Sequence, residues 1–308
     1  MTDSSPETRF RRMQDLPSTH LLGTGTSMCA GCGGLGAFRE FYEVLGKGSI
    51  VVNAAGCMSL LATYPYTPFR GSWLYTAMAS APAGAQGVRD ALDILRAKGR
   101  LTPEEDLRVA VLTGDGAASG MGLSATSAAI DRGLDFIYLC YDNEGYGNTG
   151  QQTSPTTPHG ARTATDRGPR GNPGLKKDLF AVWAANRPTY VATVIAAEPV
   201  DLARKIEKAK SLRGPRLLLA LAPCPPGWGF DPRDSIEIGR LAVRTGVWPL
   251  REYVDGKVVH TKSYHPRRPV EEYLVRQRRF AHLFEPRRDD ATLAEIQRAV
   301  DDYWAAVE

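Results

Sequence analysis

Apolar positions along this chain follow two rhythms that take turns. Short apolar runs read as buried strands: "SIVVNAAG" from Ser49, "LRVAVLTG" from Leu107, "LDFIYLC" from Leu134, Thr189 to Ala196, and Arg216 to Ala222. Between them apolar residues recur three and four positions apart, which is the spacing of one helix face. Such stretches are "LGAFREFYEVLG" up to Gly46, Ala83 to Gly99, "GLSATSAAIDRG" from Gly122 to Gly133, Lys177 to Asn186, and Val200 to Leu212. A hairpin is expected to turn at Asp255-Gly256, and a last helix to run from about Ala291 to Ala306. Strands alternating with helices predict an α/β fold: a mainly parallel sheet with helices on both faces. The polar first residues suggest an N-terminal arm over 1–24, ahead of a main domain over 25–228. Residues 229–308 read as a C-terminal extension packed on that domain or on partner subunits. Residues 150–177 show no periodicity, and a loop of that length inside a domain is usually functional.

Composition narrows the function classes. The 308 residues carry a net charge of +4, which gives little support to nucleic-acid binding. The basic run "RFRRM", Arg9 to Met13, is expected to be a solvated arm. Absence of a long apolar run argues against a membrane span, and the N-terminus lacks a secretory pattern. A cytoplasmic chain is therefore expected, where cysteines serve metal or redox chemistry more often than disulfides.

Three strands end in glycine-bounded turns: "NAAGC", "TGDG" and "YDNEGYGN". Ligands of parallel sheets sit beyond the carboxyl ends of strands. Asp115 and Asn143 are 28 positions apart, the length of one strand–helix–strand unit, so both should emerge at one edge of adjacent strands. A carboxylate, an amide oxygen and a nearby carbonyl form a hard oxygen site suited to magnesium, whose shell phosphate and water complete. Free N–H groups at the helix start near Gly116 would face the same anion.

Of five cysteines, Cys140 lies mid-strand and reads as a small buried apolar residue. Cys29, Cys32, Cys57 and Cys224 all lie in glycine- or proline-bounded turns. Four thiolates gathered there could hold a [4Fe–4S] cluster or a structural zinc.

The ordered motifs "CAGCG", "NAAGC", "GDGAASGMG", "YDNEGYGNTGQQTSPTTPHGA", "GNPGLKKD", "YVATV", "LAPCPPGWGF" and "IEIGRLAVRTGVWPL" span roughly Cys29 to Phe284. Together they resemble the thiamine-binding β subunit of the 2-oxoacid:ferredoxin oxidoreductases. That resemblance implies a thiamine-diphosphate-binding fold and oxidative decarboxylation of a small, pyruvate-like 2-oxoacid, with electrons passed to a proximal [4Fe–4S] cluster and on to ferredoxin. It implies Cys29, Cys32, Cys57 and Cys224 as cluster ligands, and Asp115, Asn143 and the Gly145 carbonyl as magnesium ligands. Gly34, Cys57, Gly114, Gly116, Ala117, Ala118, Tyr146 and Asn148 are expected to line the thiamine site, and Asn148 to reach the reacting atoms. The glutamate that serves the thiamine aminopyrimidine comes from the α subunit in this family, so the chain alone is expected to be inactive. Further clusters would lie on γ and δ subunits or domains.

The match departs at two places near the expected pocket. Pyruvate-type members commonly have Glu where this chain has Gly34, and Leu-Phe-Glu-Asn where it has Ala77 to Ser80. An oxalate-using member, working without coenzyme A, is the alternative substrate reading. A non-catalytic electron-transfer or scaffold subunit is the alternative of another class.

Overall fold

Eight strands make one sheet in a computed structural model that describes residues 9–102 and 107–308. They are β1 (Ser49–Ala54), β2 (Ser72–Thr76), β3 (Arg108–Gly114), β4 (Phe136–Asp142), β5 (Tyr190–Ile195), β6 (Pro215–Leu221), β7 (Leu250–Val254) and β8 (Lys257–Lys262). Their order is β2-β1-β3-β4-β6-β5-β7-β8. The first six are parallel, and the hairpin β7–β8 adds antiparallel to β5. Every residue of β4, β5 and β6 is buried, as expected of central strands covered on both faces.

Two helices cover one face: α1 (Gly33–Leu45) and, after the intervening helices α2 (Ala81–Ala97), α3 (Leu123–Asp131) and α4 (Leu179–Ala185), α5 (Pro199–Ser211). Phe38, Phe41 and Tyr42 of α1 pack there with Leu202 and Ile206 of α5. The other face carries α2, α3 and α4 together with residues of the C-terminal part, including Trp228 and Phe280. The C-terminal part contains α6 (Ser235–Arg244), the short α7 (Glu271–Leu274) and α8 (Asp290–Ala305). Among the described residues, no helix is long and apolar enough to cross a membrane.

Three features differ from the reading of the sequence. β2 was not expected, because this edge strand exposes Leu74 and Tyr75 and turns only Trp73, half-buried, toward the core. The helix expected near Gly116 opens with a wide turn over Ala117–Met121, and regular α-helix begins only at Leu123. The widening follows from local bonds: Gly122 N–H reaches back to the Ala117 carbonyl at 2.7 Å, and the Ser119 hydroxyl donates to the Asp115 carbonyl at 2.6 Å. Finally, "RFRRM" is not wholly solvated. Its arginines are exposed, but Phe10 is buried and its carbonyl accepts from Arg204 Nε of α5 at 2.5 Å.

Candidate functional site

Pairing of β3 with β4 sets Gly114 opposite Tyr141, so the turns after these strands open side by side. Asp115 is fully buried in the first turn. Its Oδ2 accepts from Ser154 at 2.5 Å and from Thr156 at 2.8 Å, both on the long loop. Burial, then the nearby Asp142, raises its carboxyl to about 7, against the pull of the two hydroxyls and of Lys176. A bound cation would reverse that effect and keep the group ionised.

Asp115 Oδ1 is left facing the second turn. The Asn143 side chain presents its amide oxygen to Asp115 Oδ1 and to the Gly145 carbonyl. Turned over, its nitrogen would lie 2.8 Å from each. The amide end of Asn143 thus meets two acceptor oxygens at one point, where its nitrogen can donate to both or its oxygen can join them around a cation. Neighbouring oxygens around an octahedral magnesium, at bonds of about 2.0–2.1 Å, stand about 2.8–3.0 Å apart. The donor set fits such an ion in charge, hardness and spacing.

The turn between Asn143 and Gly145 is anchored by an ion network. Glu144 sits at φ 60°, a conformation costly for a residue with a side chain. Its carboxylate is held by Lys176 Nζ at 2.5 Å and by Arg279 Nη2 at 2.5 Å, and Lys176 also lies 2.8 Å from Asp142 Oδ2. Burial alone would push the Glu144 carboxyl up, but Lys176 and Arg279 outweigh it and hold the group below its ordinary value. The Glu144 carbonyl accepts from Thr157 at 2.8 Å. Trp228 Nε1 donates to the Asn143 carbonyl at 2.9 Å, and the Arg279 guanidinium lies 3.9 Å from the Trp228 ring centre.

Two cavities meet at this point. The first, of about 190 Å³, is bordered by Gly114, Gly116, Ala117, Gly145 and Tyr146, with Met78 from the departing segment Ala77 to Ser80. A Cβ at Gly116 would stand 2.2 Å from the Tyr146 ring, so only glycine permits that close approach. The second cavity, of about 150 Å³, is bordered by Cys29, Cys32, Cys57 and Cys224. Cys57, Tyr141, Asn143, Gly147 and Asn148 border both, so the dividing wall is one residue thick. Two expected residues fall elsewhere. Gly34 borders the second cavity, against Met58 and Tyr141, rather than the first. Ala118 is fully buried in the wide turn and borders neither.

Burial raises the thiols: Cys57 to about 12, with Cys224, Cys32 and Cys29 adding to it, and Cys224 to about 11. Among the described residues, no three His, Cys, Asp or Glu side chains are grouped to hold a single metal ion. Four sulfurs 2.3 Å from one zinc would stand about 3.8 Å apart. The cysteines instead surround a cavity. Cys140 is remote from them in kind, being fully buried within β4 and packed in the core on the other face from Tyr141.

Reading the sequence missed several residues. Ser154, Thr156 and Lys176 lay inside quoted motifs, but nothing marked them as the groups around Asp115 and Glu144. Tyr141 looked like any apolar strand residue. Arg279 carried no local signal, because it acts from 135 positions beyond Glu144.

Comparison with known proteins shows the family. Residues 54–220, more than half of the chain, match the family model described as thiamine pyrophosphate enzyme, C-terminal TPP binding domain. The chain is 42% identical over 292 residues to pyruvate synthase subunit PorB of Methanothermobacter thermautotrophicus, covering 93% of this chain and 96% of that one. It is 36% identical over 287 residues to ketoisovalerate oxidoreductase subunit VorB of Pyrococcus horikoshii, covering 90% of each. Among solved structures, 2-oxoglutarate:ferredoxin oxidoreductase from Magnetococcus marinus matches with a TM-score of 0.58 and 24% identity, over 71% of this chain and 72% of that one, a likeness of fold. With its sheet, its paired turns and relatives of this identity along nearly its whole length, the chain belongs to the β-subunit family of the 2-oxoacid:ferredoxin oxidoreductases.

Proposed function

We propose that this chain carries thiamine diphosphate with Mg2+ in its first cavity and one [4Fe–4S] cluster in its second, and oxidises pyruvate together with an α partner. The observation that carries this reading is the shared wall: the diphosphate-type turns and four cysteines open onto neighbouring cavities bordered by the same five residues. Similarity over more than 90% of the chain to a subunit named pyruvate synthase supports the substrate. Neither the oxalate reading nor the non-catalytic scaffold gains support from these relatives.

Bound in the first cavity, the thiazolium ring supplies the electron sink that loss of carbon dioxide from a 2-oxoacid requires. The chain's own residues bind and orient. Asp115 Oδ1, Asn143 Oδ1 and the Gly145 carbonyl would hold the cation that accompanies the diphosphate. Ser154 and Thr156 fix the Asp115 carboxylate so that one oxygen faces that ion. Gly114, Gly116 and Ala117 offer backbone to the phosphates, and Tyr146 closes over Gly116. Asn148 borders both cavities and on this reading would hold the substrate at the wall. Cys29, Cys32, Cys57 and Cys224 would become cluster ligands on losing their protons, which links cluster binding to deprotonation. Among the described residues no glutamate borders the first cavity, and on this reading the α subunit would supply the one that serves the aminopyrimidine. Four of five cysteines are used here, so further clusters on the way to ferredoxin would lie on other subunits or domains.

The test is an assay of the purified complex with a panel of 2-oxoacids, with and without coenzyme A, following reduction of a viologen dye. Iron, sulfide and thiamine contents are measured on the same preparation. Highest turnover with pyruvate is expected. Preference for another acid would overturn the substrate, and iron-free protein would overturn the cluster.

A further inference from the structure

One side chain reaches both cavities with different atoms. The Asn143 amide oxygen faces Asp115 Oδ1 and the Gly145 carbonyl, while its Nδ2 donates toward Cys57 Sγ at 3.8 Å. Gly147 makes the room, since a Cβ there would lie 2.5 Å from Asn143 Nδ2 and 3.3 Å from Cys57 Sγ. The amide therefore has two orientations of opposite polarity. Without a positive ion, its nitrogen belongs between the two acceptor oxygens and its oxygen turns to the sulfur. With a cation among those oxygens, the amide oxygen becomes a ligand and the N–H group is committed to Cys57.

We propose that Asn143 couples the two cofactor sites: cation binding fixes its amide so that it donates to the Cys57 thiolate and raises the reduction potential of the cluster. This rests on the assignment of magnesium and cluster to the two cavities made above. The physical basis is general. An N–H donor to a cluster sulfur favours the more negative, one-electron-reduced form, and hydrogen bonds to the sulfurs help to set cluster potentials. Turning the amide over removes the donor and sets a lone pair against the sulfur. The coupling must be reciprocal: reduction of the cluster strengthens the N–H···S bond, and so favours the orientation that binds the cation.

The experiment is a dithionite titration of the purified complex, with the proximal cluster followed by electron paramagnetic resonance. Asn143→Thr keeps an oxygen for the cation and has no N–H to offer Cys57. Retained iron, retained thiamine diphosphate and a lower midpoint are expected, by about tenfold in the one-electron equilibrium, or about 59 mV. Asn143→Asp should shift it the same way, because a carboxylate oxygen replaces the donor. An unchanged midpoint in a variant that keeps its iron overturns the proposal. Should both variants lose iron, the wild type decides. Chelation of Mg2+ with removal of thiamine diphosphate should lower the midpoint, and adding both back should restore it. The magnesium–thiamine diphosphate complex is close to neutral, so its own charge does little. A wild-type midpoint indifferent to that cycle overturns the proposal too. A wild-type complex without iron would defeat the functional assignment instead, before any potential is read.

Discussion

The oxygen turn and the cysteine quartet lie on either side of one wall, yet the chain builds them differently. Around Asn143 to Gly145 the protein supplies its own scaffold. Lys176 and Arg279 grip the Glu144 carboxylate, Thr157 and Trp228 bind the two carbonyls, and Ser154 and Thr156 fix Asp115. The cysteines have little of this. Cys29 is exposed, while Cys32, Cys57 and Cys224 each sit where a helical turn begins. Their support is slight: a backbone N–H or two, such as Leu35 N–H to Cys32 Sγ at 3.4 Å, and the Asn143 amide toward Cys57 Sγ at 3.8 Å. The oxygen site is thus organised before its ion arrives. On the proposed reading the sulfur site would depend on its cluster to bind four turns together, as metal sites coupled to folding do.

That contrast can be broken most sharply at Asp115. Asp115→Ala removes one ligand from a scaffold that otherwise remains, so thiamine diphosphate and Mg2+ should be lost and activity become undetectable. Iron and sulfide should stay at wild-type levels, because the carboxylate is bonded to Ser154 and Thr156 rather than to the cysteine turns. Normal thiamine content in the purified variant would refute the assignment, and loss of iron with the thiamine would show that the two sites are not built separately.

Cys224→Ser probes the other side. Close to one cluster's worth of iron and sulfide should disappear from each complex, while thiamine diphosphate stays bound to its independently supported turn. Local protection from hydrogen exchange should fall around Cys29 to Gly34 and Cys224 to Gly229, where the cluster is the main tie. Unchanged iron would remove Cys224 from the ligand set.

A smaller effect is expected from the scaffold itself. Arg279→Gln withdraws one of two cations from the buried Glu144 and loosens the stack on Trp228. Lys176 remains, so the pair is weakened rather than orphaned. Affinity for Mg2+ with thiamine diphosphate should fall about tenfold, or about 1.4 kcal/mol, read from thiamine retention against Mg2+ concentration. Iron should not change. An unaltered Mg2+ dependence would mean that the network only stabilises the fold.

What could be read in advance follows the same division. β3, β4 and the turns after them were legible because buried parallel strands are continuous apolar runs and their ends carry glycines. Asp115 and Asn143 followed from the length of one strand–helix–strand unit, and the cysteines from their turn settings and the family resemblance. β2 was not legible, since this exposed edge has only the half-buried Trp73 to betray it. Nor was the wide turn over Ala117–Met121, which exists because side-chain and backbone bonds around Asp115 and Gly122 overrule the ordinary helix start. Lys176, Trp228 and Arg279 were hidden for a further reason. Their role is defined by the partner they meet in space, and no spacing within the chain encodes a contact made across 135 positions.

The mildest test concerns the fifth cysteine. Cys140 shares β4 with the wall residue Tyr141, but neighbouring residues of a strand point to opposite faces. Tyr141 borders both cavities, and Cys140 packs instead with Tyr138 and Trp183 in the core beyond the sheet. Burial, then Asp142 and Asp115, hold its thiol well above its ordinary value, as burial also does for Cys57, so what sets Cys140 apart is its place on the other face of the sheet, away from the second cavity. Cys140→Ser exchanges a buried thiol for a hydroxyl that needs a hydrogen-bond partner, at a cost of about 1–2 kcal/mol in stability. Iron, sulfide and thiamine contents should match the wild type while the thermal midpoint falls slightly. A loss of iron would mean that the quartet had been drawn around the wrong sulfurs, and with it the contrast between the two sides of the wall.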